Sequence, residues 1–153
     1  MRRVQKQSCE AGFTLMELLI TMAVLGIVSS VAAMNMSKQV PLYSLNSATK
    51  QLVWTLRALR MQAISQNHKV TVTFTDDHTY TVWTDKNDNG QIDIGEVQTK
   101  DINPQYRGVR FVSTNNPVFN PTGTVSNSAS ITLKNSRGSK IISMNASGQI
   151  KTN

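Results

Sequence analysis

Residues 13–36, FTLMELLITMAVLGIVSSVAAMNM, form an apolar run of 24 residues that carries one charge, Glu17. Few folds can absorb such a segment. As a helix it is roughly 36 Å long, enough to cross a hydrocarbon core of about 30 Å. Arg2, Arg3 and Lys6 stand before it and Lys38 follows it. The larger basic group lies on the N-terminal side, which favours retention of that end in the cytoplasm. A chain of 153 residues then has room for one modest domain beyond the membrane segment.

Three kinds of N-terminus share this outline. One is a secretory signal peptide with Val31-Ala32-Ala33 as its small-residue cleavage site, giving a soluble chain that starts at Met34. Another is an uncleaved signal anchor. The third is a leader removed ahead of the apolar run. Glu17 distinguishes them. A carboxylate in an apolar membrane helix costs about 2.5–3.5 kcal/mol on insertion scales, and a signal peptide gains nothing from it. A helix that packs beside its neighbours offsets the cost if a cation lies next to the acid. Cleavage between Gly12 and Phe13 creates that cation, a free amine four residues before Glu17.

The stretch Ala11-Gly12-Phe13-Thr14-Leu15-Met16-Glu17-Leu18-Leu19-Ile20 resembles the prepilin peptidase site of type IV pilins and type II secretion pseudopilins. The resemblance implies cleavage after Gly12, N-methylation of Phe13, and Glu17 as the carboxylate of filament assembly. It further implies a prepilin peptidase and other pilins or pseudopilins as partners. The implied location is the inner (cytoplasmic) membrane, spanned once, with the head in the periplasm or outside in an assembled filament. Major pilins often carry a helix-loosening proline in this segment; here the first proline is Pro41.

Beyond Lys38 the period becomes that of an amphipathic helix. Leu42, Leu45, Thr49, Leu52, Leu56, Leu59 and Ala63 recur at three- and four-residue spacing. Lys50, Arg57 and Arg60 lie off this stripe, and Trp54 beside it is expected in the core. Pro41 removes a donor and is expected to kink or restart the helix. Asn67 suits a C-cap, after which the period drops to two: Val70, Val72 and Phe74, then Tyr80 and Val82, with Asp76-Asp77-His78 as the connection. Further strands are expected at Val97 to Asp101, Val109 to Ser113, Ser130 to Lys134, Lys140 to Met144 and Gln149 to Lys151. Between 113 and 130, eleven of eighteen residues are Ser, Thr or Asn, which predicts a surface loop broken by the apolar patch Val118-Phe119. The fold class is α+β, a long helix packed on an antiparallel β-rich head. Its predicted divisions are a leader at 1–12, a transmembrane helix at 13–36, an amphipathic stalk at 37–66 and the head at 67–153.

The C-terminal pattern Phe119-Asn-Pro121-Thr-Gly123-Thr124, Ile131-Thr-Leu133-Lys-Asn135-Ser136-Arg-Gly138, Ile141-Ile142 and Gly148-Gln-Ile150 resembles the GspH/FimT-type domain. That group comprises minor pseudopilins of type II secretion and minor pilins of type IV pili. The implied function is that of an assembly subunit. The alternative is a FimT-like DNA-binding minor pilin acting in DNA uptake.

The residues of the head raise three chemistries. Asp85, Asn87, Asn89, Gln91, Asp93 and Glu96, with Gly90 between them, match the spacing of a calcium-binding loop. The segment before them reads as a strand rather than a helix, so a turn-rich hairpin connection that needs no metal competes with Ca2+. FimT-like DNA binders carry a Gly-Arg-x-Arg type motif; the corresponding stretch here is Gly148-Gln149-Ile150-Lys151, in which one basic position is lost and the other is lysine. Arg137, Lys140 and Lys151 are the candidate phosphate contacts, without an interleaved aromatic platform and against the background of a formal net charge of +7. Catalysis finds no support: His68 and His78 lack a ligand or triad pattern, and the single cysteine, Cys9, precedes the expected cleavage site. No cofactor is required. Within the apolar run, Gly26 and Ser30 form a small-x-x-x-small pair suited either to close helix approach or to simple tolerance in a membrane.

Overall fold

A computed structural model describes residues 12–153 apart from Asp88, Ile94 and Thr114. The leader positions 1–11, with Arg2, Arg3, Lys6 and Cys9, lie outside the described residues. Among the described residues, one helix, α1 (Leu15–Gln66), is followed by eight strands. Two compact units divide the chain at residues 38 and 39.

In the first unit, Thr14 caps α1. Its Oγ1 accepts the Glu17 N–H at 3.2 Å and its carbonyl accepts the Leu18 N–H at 3.2 Å. Thr-x-x-Glu at N-cap and N3 is a capping-box spacing, and the Glu17 carboxylate sits in the first turn, where the helix dipole favours an anion. The window Leu15–Ala32 has a mean hydropathy of 2.1, and none of it is buried within the protein. A helix satisfies its own backbone polar groups, so this surface suits lipid.

In the second unit, α1 turns Leu45, Ala48, Thr49, Leu52, Leu56, Leu59 and Ala63 into the core. Burying each leucine contributes about 2 kcal/mol. The Thr49 hydroxyl, alone polar in this stripe, donates to the Leu45 carbonyl at 2.7 Å. Leu42, expected at the head of the stripe, is exposed. Trp54 is also exposed, at 66%, which corrects its expected place in the core; its neighbour Val53 is the buried residue. Pro41 lies inside α1. Its ring removes one N–H bond, and its carbonyl accepts the Asn135 amide at 2.6 Å. The helix ends at Asn67 in a left-handed conformation, φ 58°.

The strands are β1 (Val70–Phe74), β2 (Thr79–Thr84), β3 (Val97–Asp101), β4 (Arg110–Ser113), β5 (Val118–Phe119), β6 (Ala129–Asn135), β7 (Gly138–Met144) and β8 (Ile150–Thr152). They form two antiparallel sheets, ordered β3-β2-β1-β5 and β4-β6-β7-β8. Alternation places Val70, Val72, Tyr80 and Val82 of the first sheet, and Ile131, Leu133, Ile142 and Met144 of the second, in one core with the helix. Phe74 and Tyr80 both meet Phe111 of the second sheet edge-on, with centroids 5.1 and 6.1 Å away. Burial raises the Tyr80 pKa. The patch Val118-Phe119, expected to interrupt a surface loop, is strand β5: it pairs with β1, and Phe119 is completely buried.

Arg60, expected on the solvated face, ties two distant turns to the helix. Its Nε donates to the Gly123 carbonyl at 2.7 Å and its Nη2 to the Ser147 carbonyl at 3.4 Å. Gly148 closes the arrangement with φ 80°. A Cβ there would fall onto the Gly123 carbonyl oxygen and lie 2.5 Å from Arg60 Nε. Gly148→Ala is therefore expected to destabilise the head by about 2 kcal/mol or more, read as a lowered urea midpoint; an unchanged midpoint would show that the clamp contributes nothing.

Candidate functional site

The N-terminal candidates stand together at the start of α1. Gly12 and Phe13 are exposed, Phe13 at 85%, and Glu17 follows one turn into the helix, also exposed. The capping role of Thr14 explains why threonine and glutamate fall three residues apart: the spacing that fixes the helix start also fixes the carboxylate next to residue 13. Gly26 has open space around its Cα, and the Ser30 hydroxyl bonds back to the Ile27 carbonyl at 2.7 Å, so both leave a smooth helix surface.

The Asp85–Glu96 loop joins β2 to β3. The Asp85 carboxylate accepts the Asn89 and Gly90 N–H groups at 3.1 and 3.0 Å. Asn87 and Asn89 Oδ1 accept the Asn89 and Gln91 N–H groups, respectively. Asp93 Oδ2 accepts both side-chain amides, from Asn87 and Asn89, at 2.8 Å each. Glu96 takes the Lys86 N–H on Oε1 at 2.9 Å, and Trp83 Nε1 and the Asp93 N–H on Oε2. These donors hold the Asp93 and Glu96 carboxyls below the usual carboxylate range, through the asparagine amides for Asp93 and chiefly the Lys86 N–H for Glu96. Among the described residues, no three acidic, imidazole or thiol groups converge as a metal requires. Asn87 and Asn89 turn their side-chain N–H groups to Asp93 and their Oδ1 atoms to backbone N–H groups of the loop. The described part of the loop is closed by its own hydrogen bonds.

The proposed phosphate contacts do not form one patch. Arg137 lies in the β6–β7 turn, where its N–H bonds Asn135 Oδ1 at 2.9 Å. Lys151 pairs with Ser143, and Thr152 with Ile142. Strand alternation therefore sends Lys140 to the face of Ile142 and Lys151 to the opposite one. Lys140 instead joins Lys50, Trp54 and Arg57 of α1 around a groove of about 550 Å³. Sequence analysis missed this grouping; the exposed face of α1, which repeats Lys50, Trp54 and Arg57 at four and three residues, was the available signal.

A capped, unburied apolar helix with a carboxylate in its first turn, continuing as an amphipathic helix over a two-sheet antiparallel head, defines a pilin-like subunit. Comparisons with known proteins agree. Residues 48–148 match the family of the Type II transport protein GspH, and residues 7–33 match the prokaryotic N-terminal methylation motif. The chain belongs to the GspH family and is a membrane-anchored pilus or pseudopilus subunit. The fold is similar to that of the type IV minor pilin FimU of Pseudomonas aeruginosa. In one crystal form the TM-score is 0.55 at 17% identity, over 71% of this chain and 87% of that one. In a second form the TM-score is 0.54 at 17% identity, over 71% and 92% of the two chains. No curated protein is matched by the sequence.

The depressed Asp93 and Glu96 pKa values fix a sign. Both groups bind protons more weakly folded than unfolded, so their stabilisation is present at neutral pH. It is lost as pH falls below about 4. The melting temperature of the wild-type head is expected to drop across that interval, and Asp93→Asn with Glu96→Gln is expected to flatten the drop. Titration with calcium at neutral pH is expected to leave the melting temperature unchanged; a rise of several degrees would assign the loop to cation binding instead.

Proposed function

We propose that the chain is a minor filament subunit of a type II secretion or type IV pilus machine, made as a precursor. A prepilin peptidase cuts between Gly12 and Phe13 and the new terminus is N-methylated, leaving residues 13–36 as the inner-membrane span and the head on the periplasmic side. The observation that carries this reading is the first turn of α1. An apolar helix with no protein cover starts at Leu15 directly after Gly12-Phe13-Thr14, with Glu17 fixed at its third position.

The chemistry is electrostatic. In lipid, the Glu17 carboxylate is expensive to hold unpaired, and the Phe13 amine of an adjacent subunit is a cation of matching depth. Pairing them sets the axial position of one subunit against the next, and lateral packing of the apolar helices completes the filament core. Nothing in this scheme requires a cofactor or a catalytic group. The DNA-uptake alternative loses support from the separation of Lys140 and Lys151 onto opposite faces of their sheet.

Glu17→Ala is expected to leave leader removal intact while reducing incorporation into sheared filaments about tenfold or more, a loss that corresponds to one unpaired charge in the membrane. Immunoblots of the membrane and filament fractions read both steps. Undiminished incorporation would remove the charge-pairing mechanism.

A further inference from the structure

We propose that the groove between α1 and strand β8 receives an extended acidic segment from another filament subunit, which adds a strand to the free edge of β8. This rests on the filament reading above.

Three observations meet in the groove. The first is charge. No Asp or Glu occurs between Glu17 and Asp76, or anywhere after Asp101. Lys50, Arg57 and Lys140 around the groove therefore have no Asp or Glu side chain on residues 39–66 of the helix or on the second sheet to balance them. Five acids of the head are engaged elsewhere. Asp77 faces Arg110 at 3.4 Å, Asp77 and Asp101 flank His78, and Asp85, Asp93 and Glu96 hold the β2–β3 loop. A second copy brings the same excess of positive charge, so the complementary anion belongs to a different chain.

The second observation is the exposed Trp54, with the Arg57 guanidinium 5.8 Å from its ring centroid. A large ring held by a cation, beside buried Val53 and Thr49, has the makeup of a protein-interface anchor. One ring alone makes a poor stacking track for successive bases.

The third is backbone. β8 is the outer strand of its sheet. Ile141 and Asn153 exchange both of their N–H···O bonds, at 3.1 and 2.9 Å. The adjacent pair Ile142↔Thr152 is then the non-hydrogen-bonded kind, and the Thr152 N–H and C=O point away from β7. A polypeptide laid along this edge takes those two groups and sends alternate side chains into the groove; a phosphate accepts the N–H but leaves the C=O without a donor. Acidic residues at every second position would meet Lys50, Arg57 and Lys140.

The test places a photo-reactive residue in the full chain in cells, at Asn46→p-benzoylphenylalanine on the groove and, separately, at Val24→p-benzoylphenylalanine on the apolar helix. The expected result is a groove cross-link that maps by mass spectrometry to an acidic stretch of another membrane-anchored subunit. Lys50→Glu with Lys140→Glu should weaken it about tenfold while the Val24 cross-link persists. A Val24 cross-link with silence at Asn46 would overturn the groove and spare the filament reading. Silence at both positions would overturn both. A nuclease-sensitive product, or one formed from two copies of this chain, would overturn the choice of partner.

Discussion

One helix has to satisfy two solvents. In residues 15–32 its surface carries one charge, Glu17, and is otherwise largely apolar and uncovered, a state that is stable only where the surroundings are hydrocarbon. From Leu45 to Ala63 it presents a single apolar stripe to a protein core and a polar or cationic face to water. Only a helix can meet the first condition, because it closes its backbone hydrogen bonds internally. Only a sheet or second layer can meet the second. The remainder of the chain supplies that layer, two small antiparallel sheets that share their core with the stripe.

The residues that carry family resemblance divide by role along the chain. At the N-terminus they form a cap and a charge: Thr14 ends the helix cleanly and Glu17 is set by that cap. In the head they are turn and clamp residues rather than ligands. Gly123 and Gly148 accept close approach by Arg60, Asn120 ties its own turn through Thr124 and Ser126, and Asn135 links the β6–β7 turn to the Pro41 carbonyl. A head built this way can change its exposed faces while keeping its frame, which suits a subunit whose partners differ from machine to machine.

Much of this was legible in the residues because the governing interactions are local or periodic. The helix, its C-terminal Asn67, the β1–β2 hairpin and most strand centres follow from spacing alone. What escaped depends on contacts far apart in the chain. Arg60 read as a solvated cation because its acceptors lie 63 and 87 residues away. β5 has only two residues, too short for any period, and its identity comes from the edge of β1. Trp54 borders the apolar stripe, and whether a bordering residue is covered depends on which side the sheets reach; they cover Val53 instead. The Asp85–Glu96 spacing suits either a cation or a hydrogen-bonded turn, because the same side-chain oxygens serve both.

The account stands on Phe13 being the first residue of the working protein, because the amine opposite Glu17 exists only then. Intact-mass spectrometry of the chain purified from membranes decides this. A mass equal to residues 13–153 plus one methyl group is the expected result. A mass that retains the leader, or one that begins at Met34, would contradict it.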